Sequence, residues 1–306
     1  MLPLPAKRTT DPQRLADWVE LNALLSPDGQ VSMGNLVTAI KAGSVFPETS
    51  SRLDERIDSL LSSVSSAIRS RARNADIGYP FVLRGSSVER LPKWQTATYT
   101  FCLCTSYLGL EAAAINGHFP TRMFEAISVD VAHTYLGGKA VRFGWPRVRS
   151  HFEPSFAKAV EQLCKLISTN DVGYRNDEAN GDEKDDGVDV VAWCDIDERP
   201  GKLVLFGGCA AGDDWEAKLK ELQPDTFCKA WMTAPLDPVP IKTFFTTRTI
   251  DETDWTKYTR RAGILFDRCR VSRFVPQLPA NTDHGNARDW TKAALANAAA
   301  VGDASA

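Results

Sequence analysis

The stretch DDGVDVVAW places one carboxylate, Asp189, early in an apolar run and just after a glycine turn. Side chains alternate along a strand, so Val188, Val190 and Ala192 share the face opposite Asp189. A carboxylate entering such a strand is costly unless it is paired or bound to a metal. A second apolar run, LVLFGGCAAGDDW, follows a turn that contains Pro200 and Gly201. A hairpin of this kind can converge acids on Mg2+ or Mn2+, with one carboxylate starting a strand and acid-x-Lys on the next. Metal-assisted phosphodiester hydrolysis uses such a set, the lysine positioning or activating water. Here the place of acid-x-Lys reads Gly208-Cys209-Ala210, and neither acid nor lysine stands in it.

Two residues elsewhere could complete the set. Lys218 lies three residues after Trp215 and four before Leu222, so on a helix it leans toward the inward edge and can reach back over the hairpin. Glu161 borders the apolar stripe of a preceding helix and is the expected accessory acid. The competing accounts are a solvated lysine beside Glu216 and Lys220, and a surface glutamate. Asp185 and Asp186 read as part of a solvated loop. For DNA, the expected contacts are Arg260, Arg261, Arg268 and Arg270. Arg268 and Arg270 are two apart in ILFDRCRVSRF and point to one side if that run is a strand; a solvated face competes with a backbone track. Lys139, Arg142, Arg147 and Arg149 could extend the track.

These residues must be positioned by helices and strands that the patterning outlines. Helices are expected after Asp11, after Ser32, over Ser51–Arg71, from Gln95, and over Arg122–Tyr135. The last of these stops at Gly137-Gly138, as a glycine-capped helix does. A short strand is expected over Tyr79–Leu83. Past Gly144-Trp145-Pro146 the expected order is a helix over Ser155–Ser168 and a polar, mobile loop over Asn170–Asp186. Strands over Val188–Cys194 and Lys202–Ala210 follow, then a helix over Asp213–Leu222. Strands over Lys242–Thr247 and Gly263–Phe274 flank a helix over Trp255–Arg261. The expected division is a mainly helical domain over residues 1–145, an α/β domain over 146–278, and an Ala-rich flexible tail over 279–306.

The order helix, hairpin, helix, strand, with GVDVVAW and LVLFGGCAAGDDW, resembles the restriction-endonuclease-like PD-(D/E)XK superfamily. More narrowly it is similar to bacterial proteins with a DG-x-D-VVAW strand, a Gln-Cys-containing second strand and an ILFDRCR run. The resemblance covers about Pro154–Val275. It implies an αβββαβ core within an α+β chain, a Mg2+- or Mn2+-dependent DNA endonuclease, and a place in phage defence or DNA processing. Asp189 carries over as the metal ligand; Gly208 and Ala210 depart from the acid or Gln and the lysine. That departure supports a second expectation, a catalytically degenerate fold that binds DNA or a partner subunit.

Bulk properties set the limits. The 306 residues carry a net charge of −3, which argues against a general nucleic-acid coat and confines phosphate binding to local patches. The seven cysteines lack a repeated spacing and read as reduced thiols of a cytoplasmic protein. No signal peptide and no membrane span are expected. The expected partners are DNA and either a partner protein or a second copy of the chain.

Overall fold

Asp11 starts the first helix. Its carboxylate accepts the Gln13 N–H at 2.9 Å, satisfying one of the donors that a helix start leaves unpaired, and Pro12 takes the first helical position. The computed structural model describes residues 1–5, 10–43, 45–46, 52–113, 119–147, 151–167, 172–175, 184–197, 199–278 and 282–304. The chain is α+β and divides into two units. One comprises residues 1–120, 247–252 and 267–306; the other comprises 121–246 and 253–266.

The first unit begins with α1 (Pro12–Leu25), β1 (Gln30–Ser32), α2 (Met33–Ala42) and α3 (Leu53–Ala75). It continues with β2 (Phe81–Arg84), β3 (Ser87–Arg90) and α4 (Thr98–Leu108). Ser32 caps α2 in a reciprocal box with Asn35. The stripe on α3 buries Ile57, Leu60, Val64 and Ile68 as its spacing predicts. The three strands form an antiparallel sheet in the order β1-β3-β2.

The second unit contains α5 (Pro120–Leu136), β4 (Lys139–Arg142), α6 (Phe156–Ile167), β5 (Val190–Trp193) and β6 (Val204–Ala210). Next come α7 (Trp215–Lys218), α8 (Pro224–Trp231), β7 (Ile241–Thr246), α9 (Trp255–Ala262) and β8 (Ile264–Phe266). Its sheet runs β4-β5-β6-β7-β8. The pairs β4–β5 and β5–β6 are antiparallel, whereas β6–β7 and β7–β8 are parallel. A parallel pair needs a crossover, and α7 with α8, then α9, supply the two. Phe143, Phe156, Leu163, Val191, Phe206 and Phe227 are among the residues that fill the core beneath this sheet.

Three expectations are corrected. The division does not fall at residue 145, because β4 pairs with β5 and α5 buries Met123, Phe124, Ile127 and Val131. Gly144-Trp145-Pro146 lies within the second unit. The run Gly263–Phe274 is a strand only to Phe266. Asp267 then accepts the Arg270 N–H at 3.0 Å and caps α10 (Arg268–Phe274). The tail is helix α11 (Thr282–Ala304), with Ala287, Trp290, Ala294, Leu295 and Ala298 buried; small alanines let it pack closely despite few large apolar residues. Most of the polar loop expected over Asn170–Asp186 lies outside the described residues.

Candidate active site

Asp189 immediately precedes β5, and its N–H donates to the Gly207 carbonyl at 2.9 Å. Its own carbonyl accepts the N–H groups of Phe143 and Gly144 at 2.7 and 3.1 Å, so the end of β4 is wrapped onto it. Across the β5–β6 pair, Asp189 Oδ2 accepts the Cys209 N–H at 2.7 Å. The half-motif at Gly208 and Ala210 is thus filled by a backbone contact rather than by an acid or amine.

The second carboxylate comes from α5. A Cβ added to Gly144 would stand 2.8 Å from Asp189 Oδ1 and 2.9 Å from Glu125 Oε2, so both carboxylates pack closely against the same glycine. Glu125 is buried and held by Arg142, whose Nη1 donates to Oε2 at 2.7 Å. Asp185 stands beside this pair, with Oδ2 accepting the Trp145 N–H at 2.9 Å and Oδ1 the Gly187 N–H at 3.2 Å. Lys218 ends α7 half-buried, and its charge acts on Asp189.

The electrostatics follow from this crowding. Burial raises the Asp189 carboxyl well above the ordinary carboxylate range, and the charges of Glu125 and Asp185 raise it further. The Cys209 N–H and Lys218 oppose them. Glu125 is raised by burial against the pull of Arg142. The Cys209 thiol, beside both acids, is pushed well up by burial and by Asp189; it is a neutral group, not a nucleophile.

Two hard-oxygen donors fit Mg2+ or Mn2+. Mg2+ keeps several waters and is commonly held by one or two carboxylates plus substrate phosphate. Among the described residues there is no group of three or more His, Cys, Asp or Glu arranged to hold a metal ion.

The other expected residues are dispersed. Glu161 is not beside Asp189. It lies on α6 with its side chain 41% exposed, pairs with Lys165 at 3.3 Å, and accepts the Tyr174 N–H at 2.8 Å. The Tyr174 N–H and the Lys165 ammonium lower its pKa. Arg268 cannot reach DNA: it is fully buried in the first unit and bound to Asp17 at 2.7 Å. Because α10 is a helix, Arg268 and Arg270 do not share a strand face, and Arg270 is half-buried. Arg260 and Arg261 are exposed on α9 of the second unit, with exposed Lys257 on the same helical side. In the second cluster, Lys139 pairs with Asp195, Arg142 with Glu125, and Arg147 is buried; Arg149 lies outside the described residues.

Sequence reasoning missed Glu125 and Gly144. The available signal was a glutamate and a serine, Glu125 and Ser128, beside the apolar stripe of α5, a helix assigned to the wrong domain. Among the described residues no helix is long and apolar enough to cross a membrane. No family model matches the chain, and neither a curated protein nor a solved structure matches it.

Proposed function

We propose that the second unit is a divalent-metal-dependent DNA nuclease of the restriction-endonuclease-like type. The observation that carries this reading is that Asp189 Oδ1 and Glu125 Oε2 both pack against Gly144, which brings two buried carboxylates together. The sheet order supports it as well: α5, then antiparallel β4, β5 and β6, then a helical crossover to parallel β7, follows the order αβββαβ with α6 inserted. Asp189 and Glu125 would hold Mg2+ or Mn2+. That ion would supply Lewis-acid stabilisation of the charge developing on a phosphate. Arg142 fixes the Glu125 carboxylate, and Lys218 offers a positive charge on the Asp189 side. Lys257, Arg260 and Arg261 offer a phosphate-binding face. The resemblance extends the proposal to phage defence.

Gly208 and Ala210, in place of the acid and lysine, favour a second reading: a degenerate site on a scaffold that binds DNA or a partner protein. Thermal melts with and without Mn2+ separate the two. A ligand bound only to the native state raises stability by about 2.7 kcal/mol at a hundred times its Kd. The nuclease reading expects such a rise in the wild type and its loss in Asp189→Asn and in Glu125→Gln; equal responses in all three proteins favour the degenerate scaffold.

A further inference from the structure

Trp145 follows Gly144 at the edge of the acidic site and leaves 47% of its surface exposed. The exposure does not come from a slack loop. The Trp145 N–H donates to Asp185 Oδ2 at 2.9 Å. The flanking carbonyls of Gly144 and Pro146 accept from Arg142 Nη1 and Nη2 at 3.0 and 2.8 Å. The same guanidinium holds Glu125. One arginine therefore fixes a site carboxylate and the backbone on both sides of the indole. The Lys184 ammonium stands 4.8 Å from the indole centroid, within the range of a cation–π contact.

A large ring held out of the core on a pinned backbone has little further freedom to give up on binding, which favours an aromatic ligand. Nucleobases stack on such rings regardless of sequence, and the contribution per base is large enough to measure. Inside a duplex both faces of a base are already covered, so an indole on the protein surface can take only an unpaired one.

We propose that Trp145 is a stacking platform for an unpaired nucleobase, that Lys184 meets the adjoining phosphate, and that the substrate is single-stranded DNA. The proposal rests on the reading of Asp189 and Glu125 as a phosphodiester site and adds to it the strandedness of the substrate. Trp145 positions the strand so that the phosphate beside the stacked base comes toward the two carboxylates. Lys184 acts as a counter-charge that makes this contact salt-dependent.

The test is binding, measured by fluorescence anisotropy in EDTA so that no cleavage occurs. The probes are a short fluorescein-labelled homothymidine strand, an abasic strand of equal length, and a duplex. Wild-type protein is expected to favour homothymidine over the abasic strand by about tenfold, and over the duplex. Trp145→Ala should abolish the preference over the abasic strand, Trp145→Phe should keep most of it, and Lys184→Ala should reduce the salt dependence on homothymidine. An unchanged base preference in folded Trp145→Ala, or an equal loss of duplex binding, overturns the platform and leaves the nuclease reading standing. Binding as expected, without Mn2+-dependent cleavage, overturns the nuclease reading and leaves the platform. A wild type that binds none of the three probes overturns both.

Discussion

Gly144 faces Asp189 so closely that a methyl group on its α-carbon would stand 2.8 Å from the Asp189 Oδ1 oxygen. The same methyl would meet Glu125 Oε2 at 2.9 Å. Both obstructing atoms belong to side chains held by hydrogen bonds to the Cys209 N–H and Arg142, so Gly144→Ala should fold at a cost of about 1–3 kcal/mol for overpacking. It should nevertheless displace the two carboxylates. The expected outcome is a folded variant whose melting point no longer responds to Mn2+. Retention of the full wild-type response would mean that Asp189 and Glu125 do not hold the ion together.

Asp189 and Glu125 also set a pH dependence. Their native pKa values are raised, so the native state holds these protons more tightly than the unfolded chain does. The resulting stabilisation is full below the unfolded values of about 4 and is lost as pH rises through the raised native values. In EDTA, therefore, the wild type should lose this contribution progressively as pH rises above the unfolded values. Asp189→Asn removes one of these acids, and should melt higher than the wild type where Asp189 is ionised, with a flatter pH profile. If the Cys209 N–H bond to Asp189 dominated instead, the variant would be less stable by about 1–2 kcal/mol, as for loss of a charge-assisted bond.

The first unit contains a buried ionic group with the opposite sign. Asp17 is paired with Arg268 at 2.7 Å and Arg71 at 2.9 Å, and Arg71 also holds Glu20 at 2.9 Å. Burial alone would raise the Asp17 carboxyl, but Arg268 and Arg71 outweigh it and hold its pKa at about 2. Its contribution is present above the unfolded value and is lost as pH falls toward 2. Arg268→Ala leaves Asp17 short of a partner and should destabilise the protein by about 3–5 kcal/mol in chemical denaturation. A near-neutral change would show that the group contributes little.

Basic residues on α9 give a salt-dependence test. Charge reversal at Lys257, Arg260 and Arg261 should reduce the log–log salt slope of single-stranded DNA binding by about 0.7 for each phosphate that is no longer neutralised. An unchanged slope in the folded triple variant would assign this helix face to solvent.

The legible parts of the chain were those with strong periodicity. The stripe on α3, the hairpin β5–β6 and the helix that begins at Phe156 all follow from apolar spacing that no tertiary contact overrides. Asp189 stood out because a carboxylate interrupts an apolar strand, and Lys218 because its helical phase leans inward. Glu125 was hidden by distance along the chain: 64 residues separate it from Asp189 in the sequence, and only the pairing of β4 with β5 brings the α5–β4 segment into the same sheet unit. Arg268 was misread because ILFDRCRVSRF looks continuous, whereas the Asp267 cap turns a strand into a helix after three residues. The alanines of α11 leave a weak hydrophobic signal even when buried, and Trp290 stands among them with few other large apolar residues.

The nuclease proposal stands on Asp189 and Glu125 acting together as a metal-dependent phosphodiesterase site. Its most direct measurement is Mn2+-dependent cleavage of an end-labelled DNA strand by the wild type and by Asp189→Asn, Glu125→Gln and Glu161→Gln. The wild type is expected to cleave, the first two variants to lose most of that rate, and Glu161→Gln to match the wild type. Absence of cleavage by the wild type, or undiminished cleavage by Glu125→Gln, would contradict it.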